Sequence, residues 1–288
     1  MILSIASGKG GTGKTLITTS LAVSLSQREP VQVLDCDVEE PNARLFLKPE
    51  INVNETVNVV VPELDKEKCD YCGLCARICA YNAIAAAPQS VLIFPELCHS
   101  CGACSYLCPT GALVEKERGI GEIAIGHRNG IDFVEGRLAV GEVLAVPVIK
   151  KVRKLANKQS LVLIDAPPGT SCPVIESVNE SDFCLLVTEP TPFGLNDLAL
   201  AVGMATELGV PCGVIINRAG SGDRLIEDYC RKEAIPVLLK IPLERQIAAL
   251  YSRGVTLAEG LPEWQPKFIS LYDSVKGMVD ERVTGNIR

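Results

Sequence analysis

The chain is predicted to adopt an α/β fold, a doubly wound and mostly parallel sheet with a small α+β unit inserted into it. Three observations predict this. Short apolar runs alternate with helix-length segments over most of the 288 residues. Two of the runs, at residues 183–187 and 213–216, are fully apolar, as expected of strands covered on both faces by helices. The rhythm breaks between about residues 62 and 115, where glycine, cysteine and short turns replace it.

Residues 2–7 form a strand around Ile2, Leu3 and Ile5 and end in a glycine-rich loop. Leu16–Leu25 follows as a helix, with apolar residues at 16, 17, 21 and 25. Val31–Leu34 is a second strand ending at Asp35, and Ser160–Ile164 a third ending at Asp165. Phe183–Val187 and Gly213–Ile216 are wholly apolar runs bounded by turn signals, and Val237–Leu239 adds a further short strand. Helices are expected over Val148–Asn157, Leu195–Leu208, Asp223–Glu233, Glu244–Arg253 and Pro266–Val283. Residues 116–150 are less regular, and alternating stretches such as Glu122–Ile125 read as hairpins that return the chain to the sheet. The expected domains are 1–61 and 116–288 for the sheet and 62–115 for the insert. Such sheets hold their ligands at the carboxyl ends of the strands.

Hydrophobic residues make up 47% of the chain and aromatics only 5%. That suits a Val/Ile/Leu/Ala-packed sheet better than an aromatic-rich nucleic-acid surface. A formal charge of −7 repels a duplex or an anionic membrane, so neither is an expected partner. The basic cluster Lys150, Lys151, Arg153 and Lys154 reads as a solvated helix face. Thirteen cysteines would suit a secreted disulfide scaffold, but the chain is too long and too apolar to need one. Met1 runs straight into the strand-like ILSIAS with no signal sequence, so a reducing cytoplasm is the expected location. No apolar run approaches the roughly 18–20 residues of a membrane-spanning helix.

Eight of the cysteines form two C-x2-C-x2-C-x3-C runs, Cys69, Cys72, Cys75, Cys79 and then Cys98, Cys101, Cys104, Cys108. Residues 68–84 and 97–113 repeat at an offset of 29. This is the spacing of two-cluster bacterial ferredoxins, in which the fourth cysteine of each run ligates the other cluster. Cluster one is therefore assigned to Cys69, Cys72, Cys75 and Cys108, and cluster two to Cys98, Cys101, Cys104 and Cys79. Zinc sites place C-x2-C pairs about 12–20 residues apart, unlike two contiguous quadruplets. The first run ends Cys79-Ala80 and the second Cys108-Pro109, which should alter a turn and not the ligation. His99 reads as a surface residue beside a cluster.

The glycine-rich loop is GKGGTGKT at residues 8–15, which satisfies G-x4-G-K-[ST]. Gly8, Gly10, Gly11, Thr12 and Gly13 let backbone N–H groups converge on phosphate oxygens, and the following helix start favours negative charge. Lys14 is expected on the β- and γ-phosphates and Thr15 on Mg²⁺.

With Lys9 added to this loop, the chain resembles the MinD/ParA/Mrp and nitrogenase iron protein class of P-loop ATPases, which have a deviant Walker A sequence. The resemblance covers residues 1–60 and about 145–288, and is strongest to members carrying an inserted ferredoxin domain. It implies ATP and Mg²⁺ beside two [4Fe-4S] clusters. It also implies a nucleotide-dependent dimer, with a second copy or a similar ATPase, in which Lys9 reaches the partner's nucleotide. In VLDCDVEEPN it places Asp37 in switch I, orienting the attacking water, with Asp35 as loop support. In LVLIDAPPGTS it gives Asp165 the Walker B role on Mg²⁺ and Gly169 a switch II N–H that senses the γ-phosphate. In IINR, Asn217 would contact adenine, and IPLE at 241–244, with Pro242, would form a second base-contacting segment. The implied chemistry is in-line attack of water on the γ-phosphate, with Lys9, Lys14, Asp37 and Asp165 as the catalytic set.

Departures from the relatives bear on function. Cys172 lies just after switch II, where the nitrogenase iron protein has a cluster-bridging cysteine, but no second such cysteine is evident. The C-terminal C-x-x-C of many Mrp-type carriers is absent. Cys36, Cys184, Cys212 and Cys230 read as small hydrophobes. The last helix gathers Phe268, Tyr272, Val275 and Val279 on one face, and its mixed charges lack the basic face of a membrane helix. Three functions compete: an ATP-gated electron-transfer protein with a redox partner, an ATPase that delivers clusters or metallocofactors to an acceptor, and a positioning ATPase with redox-sensing clusters.

Overall fold

The computed structural model describes residues 1–284. The first strand, β1 (Ile2–Ala6), sends Leu3 and Ile5 into the core on one side of the sheet and Ala6 into the core on the other. Then follow α1 (Lys14–Leu25), β2 (Val31–Asp35), α2 (Ala43–Leu47) and a long β3 (Glu50–Leu64). The cysteine-rich stretch holds α3 (Leu74–Ile78), the hairpin of β4 (Ile84–Ala87) and β5 (Ser90–Ile93), and α4 (Ala103–Tyr106). After it come β6 (Leu113–Arg128), β7 (Ile131–Leu138), α5 (Ala145–Lys154), β8 (Leu161–Asp165), α6 (Cys172–Val178) and β9 (Phe183–Thr188). The chain closes with α7 (Pro192–Glu207), β10 (Cys212–Ala219), α8 (Asp223–Lys232), β11 (Val237–Pro242), α9 (Arg245–Ser252), α10 (Leu257–Gly260) and α11 (Gln265–Val283).

Among the described residues, nine strands form one sheet in the order β11-β10-β9-β1-β8-β2-β7-β6-β3. From β11 to β7 the pairs are parallel, and β6 and β3 extend the sheet antiparallel. β2, β8 and β9 are buried at every position, which explains the apolar runs LVLI of β8 and FCLLV of β9. Ile17 of α1, Ile247 of α9 and Phe268 of α11 pack on one face. Val148 of α5, Val174 of α6, Leu198 of α7 and Ile226 of α8 pack on the other.

The parallel strands start and stop within a few residues of the expected positions. Residues 116–150 do form a hairpin, β6–β7. The unexpected element is β3. Its Val57, Val59 and Val61 are buried while Asn58 and Val60 between them are exposed, the two-residue period of a strand with one solvated face. β6 pairs with β7 only from Gly121 onward, and Gly121 meets Leu138 at the carboxyl end of β7. The earlier part of β6 pairs with β3 alone, out to Leu64 opposite Leu113. Asp65 N–H then donates to the Ala112 carbonyl (2.7 Å). A two-stranded ribbon thus carries residues 65–112 past the carboxyl ends of the parallel strands.

The apolar face of α11 is buried as the sequence suggested, with Phe268 and Val275 fully enclosed and Tyr272 nearly so. No helix among the described residues is long and apolar enough to cross a membrane. Phe268→Ala is expected to cost about 3–5 kcal/mol, as for a buried aromatic, read from the urea unfolding midpoint. A change below about 0.5 kcal/mol would be the behaviour of a surface helix and would contradict this packing.

Candidate functional site

The loop between β1 and α1 is shaped by its glycines. Gly11 and Gly13 have φ of 74° and 100°, in the left-handed region that glycine alone adopts freely. A Cβ on Gly13 would strike the Asn217 side-chain amide. Ser7 Oγ donates to the Lys9 carbonyl (2.6 Å). No side chain caps the first turn of α1, so its N–H groups remain open to an anion.

The carboxylates at the strand ends converge on this loop. Thr15 Oγ1 donates to Asp165 Oδ2 (2.5 Å), and Thr18 Oγ1 lies 3.3 Å from Asp165 Oδ1. Asp35 is fully buried and accepts the backbone N–H groups of Asp37 (3.2 Å), Asn42 (3.1 Å) and Ala43 (3.0 Å). Its oxygens therefore hold the segment after β2, expected to be switch I, and the start of α2. Burial and the Asp165 charge hold Asp35 well above the usual carboxylate range. Burial pushes Asp37 up to about 7 and Asp165 up to about 6, each opposed by the nearby Lys14 ammonium. Lys14 lies near both Asp37 and Asp165, and the hydroxyl of Thr15 with the carboxylate of Asp165 supplies the hard oxygen donors that would hold a divalent cation. The Gly169 N–H donates to the Ser7 carbonyl (2.9 Å), tying the segment after β8, expected to be switch II, to the loop.

Asn217 Nδ2 donates to the Thr12 carbonyl (2.6 Å), and its Oδ1 accepts the Arg218 N–H (2.9 Å). Asn217 and Pro242 line a cavity of about 240 Å³ together with Gly11, Gly13, Leu16 and Tyr251. Lys9 Nζ lies 3.1 Å from Glu189 Oε2 of its own chain, and Arg218 Nη1 lies 2.6 Å from Glu189 Oε1. Sequence reasoning missed Thr18, Glu189, Arg218 and Tyr251. The available signals were slight: Thr18 sits one turn beyond Thr15, and Glu189 follows a strand end as the aspartates do.

The two cysteine runs cross over. One cavity is lined by Cys98, Cys101, Cys104 and Cys79, the other by Cys69, Cys72, Cys75 and Cys108. The sequence repeat is also a backbone repeat. Tyr71 and Ser100 are both left-handed (φ 56°), as are Gly73 and Gly102 (70° and 72°) and Asn82 and Gly111 (53° and 62°). The Ala83 N–H donates to Cys79 Sγ and the Ala112 N–H to Cys108 Sγ, both at 3.3 Å. Such donors favour a thiolate. Among the described residues no three His, Cys, Asp or Glu groups converge on a single ion. A cubane asks for four thiolates, and each cavity has four cysteines in its lining. His99 stacks on Tyr81 (centroids 3.7 Å apart) at the rim of the first.

The remaining cysteines divide by burial. Cys36, Cys184 and Cys230 are buried, Cys212 is half-buried and Cys172 is exposed. Burial pushes the Cys184 thiol up to about 12 and Cys230 up to about 11, which leaves both protonated and inert.

Residues 3–257 match the family of CobQ/CobB/MinD/ParA nucleotide-binding domains. An uncharacterised protein of Methanocaldococcus jannaschii is 30% identical over 97% of this chain and 98% of its own length. An iron-sulfur cluster carrier protein of Pyrococcus abyssi is 23% identical over 96% of this chain and 88% of its own. Among solved structures, the septum site-determining protein MinD of Pyrococcus horikoshii, complexed with Mg-ADP, is similar with a TM-score of 0.58. It is 22% identical and covers 95% of both chains, a likeness of fold.

The carboxylate burial has a pH consequence. An unfolded aspartate titrates near 3.9, so between about pH 4 and pH 7 folded Asp37 keeps a proton that the unfolded chain has lost. Stability without nucleotide or Mg²⁺ therefore falls as pH rises through that window, and Asp165 and Asp35 act in the same direction. Asp37→Asn is expected to flatten, not abolish, the fall in thermal midpoint between pH 5 and pH 8. Identical slopes for variant and wild type would contradict the burial of this carboxylate.

Proposed function

We propose that this chain, which belongs to the CobQ/CobB/MinD/ParA nucleotide-binding family, is a dimeric ATP-binding and ATP-hydrolysing iron–sulfur protein that couples nucleotide state to electron transfer. One observation carries the reading. The β3–β6 ribbon projects the cysteine unit past the carboxyl ends of the parallel strands, the edge that also holds the phosphate loop, Asp37 and Asp165. A redox unit and a nucleotide site placed on one edge can respond to one dimer contact.

The residues divide the work as follows. Cys69, Cys72, Cys75 and Cys108 would hold one [4Fe-4S] cluster, and Cys98, Cys101, Cys104 and Cys79 the other. When bound, the clusters supply one-electron storage. Thr15 and Asp165 would hold Mg²⁺, and Asn217 and Pro242 would border adenine. Lys14 neutralises charge growing on the phosphate oxygens. Asp37, near the Lys14 ammonium, orients the attacking water. Lys9 leaves Glu189 to reach the partner's nucleotide, and Gly169 gives up the Ser7 carbonyl when its N–H turns to the γ-phosphate.

A second reading, delivery of clusters or metallocofactors to an acceptor, is favoured by the exposure of Cys72 and Cys101 and by the carrier named among the relatives. Full retention of iron through ATP turnover would count against it.

The test of coupling is an anaerobic, dye-mediated redox titration followed by EPR with MgATP and with MgADP. The midpoint potentials are expected to differ on the order of 60 mV, a tenfold change in a one-electron equilibrium. The difference should vanish in Lys14→Ala. Identical potentials in both nucleotides would remove the proposed coupling. Crossed ligation has its own signature in iron content, about eight per chain for two four-iron clusters. Cys79→Ala, Cys98→Ala and their double variant should each retain about four irons, while Cys79→Ala with Cys69→Ala should retain almost none. Equal losses in the two double variants would refute the crossing.

A further inference from the structure

Glu189 is the least expected charge beside the phosphate loop. It follows β9, and its side chain is only 10% exposed. Its backbone is fixed by the turn into α7. The Thr191 N–H donates to its carbonyl (2.8 Å), Thr191 caps α7, and a Cβ on Gly194 would collide with that same carbonyl. A carboxylate buried to this extent needs cationic partners, and it has two. Lys9 Nζ lies 3.1 Å from Oε2 and Arg218 Nη1 lies 2.6 Å from Oε1.

Arg218 is placed for this contact by the backbone. In β10, Asn217 pairs with Ile241 and Ala219 with Pro242, so Arg218 is an extra residue opposite a shifted partner. It is left-handed, with φ 54°, a strained conformation for arginine. Bulges of this kind re-aim a side chain. Here the guanidinium turns toward Glu189, and Nη2 also lies 3.4 Å from the Gly11 carbonyl.

The three groups together carry a charge of +1. If Lys9 departs, Arg218 and Glu189 remain as a neutral pair, and the buried carboxylate is never left alone. Lys9 is therefore the removable cation and Arg218 the retained one. We propose that Glu189 is a positioning residue that parks Lys9 within its own chain, and that Arg218 sets how readily Lys9 is released. The inference rests on the reading that Lys9 crosses a dimer interface to the partner's nucleotide. Glu189 holds the cation back from that crossing, while Arg218, by satisfying Glu189, weakens its hold. The two residues thus act with opposite sign on ATP-dependent assembly, which two merely structural contacts would not do.

Opposite signs give the test. Sedimentation equilibrium of the full chain is measured at saturating non-hydrolysable ATP analogue and Mg²⁺, so that any loss of nucleotide affinity is compensated. ADP affinity of the monomer serves as a check of folding. Glu189→Gln should dimerise at roughly tenfold lower protein concentration than wild type, about the worth of one charged hydrogen bond. Arg218→Gln should need roughly tenfold higher concentration, and Arg218→Lys should fall between it and wild type. A wild type that remains monomeric overturns the dimer and this inference with it. A wild type that dimerises while the Glu189 and Arg218 variants shift together, or not at all, overturns the parking role alone.

Discussion

Three carboxylates standing side by side at the carboxyl ends of neighbouring strands are the constraint on which the rest of this structure depends. Asp35 of β2 is in register with Asp165 of β8 on one side and with Glu135 of β7 on the other, and all three are buried. Like charges in that arrangement are unfavourable unless each is answered locally. α1 answers Asp165 with the hydroxyls of Thr15 and Thr18. The backbone of switch I and α2 answers Asp35 with three N–H groups. Arg44 of α2 lies 3.3 Å from Glu135, and Arg137 of β7 lies 3.1 Å from it. The phosphate loop, switch I and the antiparallel edge of the sheet are thereby fixed to one another through a row of acids. A change in the charge at that row acts on all three.

The same row leads outward to the cysteines. Val38, next to Asp37, accepts the Leu138 N–H at its carbonyl (2.8 Å), and the Ala139 N–H donates to Ile120 (2.9 Å). A Cβ at Gly136 would press on Val38, Val148 and Val152 at once, so switch I lies flush on the end of β7. Cys36, Val38, Ile120, Val59 and Val61 belong to one buried apolar cluster, and Cys98 packs at its margin. Protein interiors at such density transmit strain. The cavity lined by Cys98, Cys101, Cys104 and Cys79 borders Val60 and Val61 of β3, whereas the other borders Leu64 and Leu113 farther along the ribbon. On the proposed reading, the first of these is the one that nucleotide state reaches through the fold.

Much of the fold was legible because its signals are local. Gly8 to Thr15 encode a loop by spacing, and the cysteine runs encode in the same way the two groups of four thiols that line the two cavities. Leu161–Asp165 and Phe183–Thr188 announce buried parallel strands by their apolar runs LVLI and FCLLV. The ribbon was harder to see. β3 reads INVNETVNVVVPEL, in which polar residues interrupt the valines, and its partner β6 lies beyond the whole cysteine unit. Pairing at that separation leaves no local trace. Glu189 and Arg218 were illegible for a related reason. Neither is unusual at its own place in the chain, and their meaning comes from a bulge in β10 and a turn before α7 that bring both to Lys9.

The cysteine unit also shows why sequence periodicity fell silent there. Between residues 65 and 112, the buried apolar residues are Ala83, Ile84 and Ala112, far too small a core to order nearly fifty residues. The helices α3 and α4 have five and four residues and no buried side chain, well below the length at which a helix persists by itself. Order must come from something other than apolar burial, and the crossed thiols are the groups placed to provide it. Crossing matters to that role. If each run closed on itself, the unit would be two independent loops. With Cys79 reaching the cavity of the second run and Cys108 the cavity of the first run, neither half can be ordered alone, and filling one cavity constrains the ligands of the other. Filling either cavity would then order parts of both halves, while the sheet keeps its own large core. On the proposed reading, the ribbon joins a part held together by its cofactors to a part held together by burial, and only the latter carries the periodic signals that sequence reading relies upon.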